Sequence, residues 1–206
     1  MTDQSVSEGK RQGILDAARA VFSRLGYAET AMDDVALEAG IAKGTLYLYF
    51  KSKGELYQAA LARDVREMAE RALAAMDGAP SFREKVTAFL TARLEYCKGH
   101  EDFLRIYLAE YGNMFVKTPP RSELCKLSRQ NLRAMARKVE DAMARGELRA
   151  GPTGPVAAAI FDVARGLTER RLLGWKEMRA RDEVGFAVEL LWGGIGADRQ
   201  TARKRA

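Results

Sequence analysis

Seven consecutive residues, Lys43-Gly-Thr-Leu-Tyr-Leu-Tyr49, carry most of the chemistry this chain offers. They supply an ammonium, a secondary hydroxyl and two phenols within about two helical turns. Such groups hydrogen-bond to phosphate oxygens and to base-pair edges. Gly44, with no side chain, lets a backbone approach a ligand closely. From Ala39 to Gly54 there are three lysines, Lys43, Lys51 and Lys53, and no acid. Other chemistries are thinly supplied. There is one histidine, His100, and the two cysteines, Cys97 and Cys125, lack Cys-x-x-Cys spacing. No Gly-rich phosphate loop and no Ser or Cys beside a base stands out. The expectation is therefore no enzyme, no metal site and no cofactor, with both thiols reduced.

Groups of this kind need elements that hold them outward. The 206 residues are 47% hydrophobic, with only 5 prolines, and show no sustained alternation of β-branched residues. Ala, Leu, Arg, Glu and Met recur, which predicts an all-α chain. Ile14, Leu15, Ala18, Val21 and Phe22 have helical spacing and predict a first helix over about 10–25, ended by Gly26. Thr30 is the expected cap of a second helix, with Asp33 and Asp34 in its first turn, ending at Gly40. A third helix follows over about 43–50. Ala36, four residues before Gly40, suits a close crossing of two short helices about a sharp turn. Val35, Ala39, Ile41 and Leu46 would supply their shared core, with Phe50 also inside. This is a helix-turn-helix over roughly 30–50, its third helix shaped for a major groove.

Ser52 and Glu55 form a capping-box pattern that opens a long helix to about residue 76. Further helices are expected at about 81–98, 101–115, 120–145, 155–174 and 182–195, about nine in all. The expected layout is a DNA-binding domain over 10–55, a larger ligand-binding and dimerisation domain over 56–198, and flexible tails at 1–9 and 199–206.

The run from Arg11 to Leu56 resembles the tetracycline-repressor (TetR/AcrR) family. The matching residues are Ile14-Leu-x-Ala-Ala, Phe22, Gly26-Tyr, Thr30, Val35-Ala, Ala39-Gly, Lys43-Gly-Thr-Leu-Tyr-x-Tyr-Phe, Ser52-Lys and Leu56. They cover about a quarter of the chain, in register. The resemblance implies that Thr30 and Ala31 contact phosphate, that Lys43, Gly44 and Thr45 lie against base edges and backbone, and that Tyr47, Tyr49 and Lys53 bind phosphates. The family often places a basic or polar residue beside the threonine. Ala31-Met32 stand there in this chain, so readout would rest on Lys43 to Thr45.

The resemblance also implies a helical effector-binding and dimerisation domain. Two apolar stripes fit a four-helix bundle between subunits: Val156, Ile160, Val163 and Leu167, then Val184, Val188, Leu191 and Ile195. The alternative for both is intramolecular core. Aromatic and methionine side chains recur between residues 82 and 135. Most are ordinary core, and some would line a largely apolar ligand cavity. The candidates are Arg93, Tyr96, His100, Phe103, Tyr107, Tyr111, Asn113, Met135 and Arg165.

The net charge of +6 is compatible with a polyanion, yet residues 1–60 hold 7 Lys/Arg against 8 Asp/Glu. The basic excess lies elsewhere, so local charge argues for DNA and bulk charge does not. No apolar run is long enough to span a bilayer and residues 1–10 lack a signal-peptide core, so a cytoplasmic protein is expected. The expected partners are a palindromic double-stranded operator, a small-molecule effector and a second copy of the chain. Repression is the default, with an activator or a helical interaction protein without ligand response as the alternatives.

Overall fold

A computed structural model of the chain describes residues 3–101, 123–175 and 177–196. They form eight helices: α1 (Asp3–Glu29), α2 (Met32–Glu38), α3 (Lys43–Tyr49), α4 (Lys53–Ala74), α5 (Phe82–Lys98), α6 (Glu123–Ala144), α7 (Thr153–Leu172) and α8 (Ala180–Ile195). Among the described residues there is no strand, only an isolated antiparallel bridge between Leu148 and Gly196. The all-α expectation holds. The helix expected at about 101–115 and the tail from 199 lie outside the described residues. None of the described helices is long and apolar enough to cross a membrane.

The described residues fall into two compact units, divided within α4 between Arg66 and Glu67. The sequence reading set the boundary at residue 55, in the first turn of this helix. The first half of α4 packs in the first unit instead, where Arg63 pairs with Asp16 at 2.9 Å and donates to the Gln12 carbonyl at 3.2 Å.

In the first unit α1 begins at Asp3, not near Lys10. The expected flexible lead is helical, and Gln12 donates to Glu8 one turn back at 2.7 Å. Gly26 breaks α1 as expected, with φ 79° and ψ 166°. Ile14, Leu15, Ala18, Val21 and Phe22 are all buried, together with Val35, Ala36, Leu46, Phe50 and Leu56. Phe22 meets Tyr57 edge-on at 5.1 Å, and Tyr27 lies 4.7 Å from the same ring. The cap of α2 is Ala31, one residue later than expected, and Asp34 reaches back to accept from the Ala31 N–H at 2.8 Å. Gly40, at φ 64°, closes α2: its N–H reaches the Leu37 carbonyl and the Ile41 N–H reaches that of Ala36. That left-handed step is open to glycine at no steric cost, and it starts the turn into α3. Ser52 accepts from the Glu55 N–H at 3.2 Å and caps α4, as the sequence indicated.

The second unit closes around one cluster built from the end of α4, α5, α6, α7 and α8. Met76, Phe82, Val86, Phe89, Met135, Val139, Ile160, Leu167, Val184 and Val188 are at its centre. Glu147, in the loop after α6, accepts from the Phe82 N–H at the start of α5 and from Arg145. Partial burial opposes its charge, but these two donors outweigh it and hold its carboxyl below the usual range. Arg149 donates to the Gly193 and Gly196 carbonyls and so closes the end of α8.

The two apolar stripes expected at a subunit interface belong largely to this cluster. Ile160, Leu167, Val184 and Val188 are buried in the chain's own core. Val156, Val163, Leu191 and Ile195 are partly buried against it. The helical period finds the apolar face, and within one chain that face turns to its own core first. A second apolar row is left on the opposite side of α8, where Phe186 is 57% and Leu190 64% exposed.

Candidate nucleic-acid interface

The helix α3 is seven residues long, and its burial pattern sets its orientation. Leu46 is fully buried, and Phe50 caps the far end from inside the core. Lys43, Gly44, Tyr47 and Leu48 are exposed, while Thr45 and Tyr49 are half-buried. The exposed residues stand at i, i+1, i+4 and i+5, one face of a helix. Nothing lies within 4 Å of the position a Cβ would take on Gly44, so its backbone is open to close approach. The structure thus exposes Lys43, Gly44 and Tyr47 and leaves Thr45 and Tyr49 half-buried.

Lys43 is not a free cation. Its Nζ lies 2.8 Å from Asp33 Oδ1 and 3.0 Å from Oδ2. The hydrogen bond and charge of Asp33 hold the lysine above its ordinary pKa. Asp33 is a residue the sequence reading placed only as a helix-start acid. Its ten-residue separation from Lys43 follows no period, so only the fold brings the two together. Replacing Asp33 by Asn should free the ammonium for a phosphate. The expected result is several-fold tighter DNA binding and a plot of log K against log salt that steepens by about one per reader. An unchanged slope would show that Lys43 does not reach phosphate. Asp34 remains at the start of α2, so the helix loses little.

Thr30, Ala31 and Lys53 each have partners within the fold. Thr30 is only 3% exposed, and its hydroxyl donates to the Gly26 carbonyl at 2.7 Å. The Ala31 N–H is taken by Asp34. Lys53 donates to three main-chain carbonyls, those of Tyr27 at 2.8 Å, Ala28 at 3.0 Å and Thr30 at 2.8 Å. An ammonium has three donors, and all three are used. It also sits 4.8 Å from the centre of the Tyr27 ring. The cause is the break at Gly26. It strips the following carbonyls of helical partners, and Lys53 supplies replacements. Lys51 remains exposed beyond α3, with a weak contact to the Tyr47 carbonyl at 3.3 Å.

The ligand candidates are placed one by one. Phe103, Tyr107, Tyr111 and Asn113 lie outside the described residues. Tyr96 is buried, with its hydroxyl 3.4 Å from Glu67 and Arg71 stacked on its ring at 5.5 Å. Met135 is in the centre of the second unit's core. Arg165 pairs with Asp162 one turn earlier on α7 at 2.9 Å. Arg93 is half-buried on α5, and His100 is half-buried just past its end.

Comparison with known proteins adds to this geometry. Residues 14–60 match the tetR family of bacterial regulatory proteins. The chain is 34% identical over 157 residues to an uncharacterized HTH-type transcriptional regulator of Bacillus subtilis, YhgD, covering 75% of this chain and 79% of that one. It is 26% identical over 187 residues to the HTH-type transcriptional activator FasR of Mycolicibacterium smegmatis, covering 90% and 83%. Among solved structures, FadR from Bacillus subtilis in complex with stearoyl-CoA shares the fold at TM-score 0.71 and 20% identity, covering 87% of this chain and 96% of that one.

Proposed function

The chain belongs to the tetR family of bacterial transcriptional regulators, and from that premise we propose that it represses transcription by occupying a palindromic operator as a homodimer and leaves it when a small-molecule effector binds. The carrying observation is the outward face of α3, with Lys43, Gly44 and Tyr47 exposed over a buried Leu46. A footprint on the DNA upstream of its own gene tests the reading. The expected result is a two-fold symmetric protected region whose affinity falls steeply with salt. Uniform protection of any duplex would sink it.

The dimer reading is supported by the second row of α8, where Phe186 and Leu190 lie one turn apart in solvent. Large exposed apolar side chains at helical spacing suit a helix pair related by two-fold symmetry. Leu173, Trp175 and Met178, just after α7, are exposed as well and extend the apolar surface of this unit.

An apolar effector is supported by the aromatic and methionine content of the second unit and by the stearoyl-CoA held in FadR. The helix α4 contributes residues to both units, so a change in its position is the means by which an effector would alter the reader. Activation is a second reading, favoured by the likeness to the activator FasR over most of the chain. Transcript levels of the footprinted gene in a deletion strain separate the two: they rise if the protein represses and fall if it activates.

A further inference from the structure

Leu48, the last but one residue of α3, is 75% exposed, although leucine has nothing polar to offer a solvent-facing position. Its neighbours on that face divide by chemistry. Lys43 and Tyr47, four residues apart, form a row able to hydrogen-bond. Gly44 and Leu48, also four apart, form a parallel row with no polar side-chain atom. Gly44 carries no side chain, so a groove wall can come closest along this second row, and the next group it would meet is the Leu48 isobutyl. The buried Leu46 anchors the helix from the other side, so Leu48 is not a displaced core residue.

The major groove offers one apolar group on its base edges, the C5-methyl of thymine. We propose that Leu48 reads a thymine methyl in each half-site and is a specificity-determining residue of the operator. This rests on the regulator reading above. It assigns the polar row to phosphate and the apolar row to base identity. A leucine contact has no hydrogen bond to satisfy, so it discriminates thymine from cytosine by the methyl alone.

The experiment begins with full-length protein and a random duplex pool, from which the bound sequence is selected. Each thymine of that site is then replaced singly by deoxyuridine, which removes only the methyl. Wild type and Leu48→Ala are titrated against every duplex. One thymine per half-site should emerge whose loss of methyl weakens the wild type about fourfold. At that position Leu48→Ala should bind thymine and deoxyuridine alike. Its side chain is exposed, so the variant should keep the melting temperature of the wild type. If no thymine methyl matters, or if Leu48→Ala retains the same sensitivity at every position, Leu48 does not read the methyl, while the regulator reading stands. If no sequence is enriched from the pool, the regulator reading fails and this assignment with it.

Discussion

Phe186→Glu combined with Leu190→Glu should leave a folded monomer whose operator affinity is lower by a factor of about a hundred to ten thousand. The size follows from linkage. A dimer that has placed one reader on its half-site holds the second at a high effective concentration, and losing that link removes about two to four powers of ten. The direction follows from burial. Both side chains point away from the core of their own unit, which α8 meets through Val184, Ala187 and Val188 on its other side. Charges placed on the outer row should therefore spare the fold, while two facing glutamates per subunit would repel across a two-fold axis. Sedimentation velocity reads the mass, gel shift reads the affinity and thermal melting checks the fold. A variant that sediments as a dimer would remove the outer row of α8 from the interface.

Lys53→Met should lower the thermal midpoint by about 4–8 °C and leave the salt dependence of DNA binding unchanged. Methionine keeps most of the stem and deletes the three donors, so the carbonyls of Tyr27, Ala28 and Thr30 lose their partner. Hydrogen bonds from a charged donor contribute about 1.5–3 kcal/mol each. Lys53 is only half-buried, and water can replace part of that stabilisation, which brings the total to about 2 kcal/mol. The family resemblance implies the opposite pattern, in which the same substitution spares stability and flattens the salt slope by about one for each phosphate the side chain no longer reaches. The two outcomes are separated by one melt and one salt titration. A flattened slope with an unchanged midpoint would show that the ammonium leaves its carbonyls for DNA.

These two predictions mark where the sequence was readable. Apolar periodicity marked α1, α7 and α8, because burying a face imposes a period on the residues that make it. The break at Gly26, the turn at Gly40 and the cap at Ser52 were also legible, since each depends on a local property of one residue type. The partners of Lys53 and Lys43 were not. Three carbonyls become acceptors only because α1 breaks at Gly26, and Asp33 meets Lys43 only because α2 and α3 turn about Gly40. The stripes on α7 and α8 stayed open between interface and core for a related reason. Hydrophobic period states that a face is buried, not whether its cover comes from the same chain. Leu48 was passed over because its type matched the core residues around it, and only its exposure sets it apart.

The pairing of Lys43 with Asp33 has a kinetic consequence. A cation that carries its own counterion gains little by exchanging a carboxylate for a phosphate, so an arbitrary stretch of duplex offers the reader a small reward. Residence on non-operator DNA should be brief, with less one-dimensional sliding and more excursions through solution. Only a site that also engages Tyr47 and the base edges repays the exchange. With α3 as the reader, the internal pair should trade a longer scan on each encounter for a larger free pool of protein.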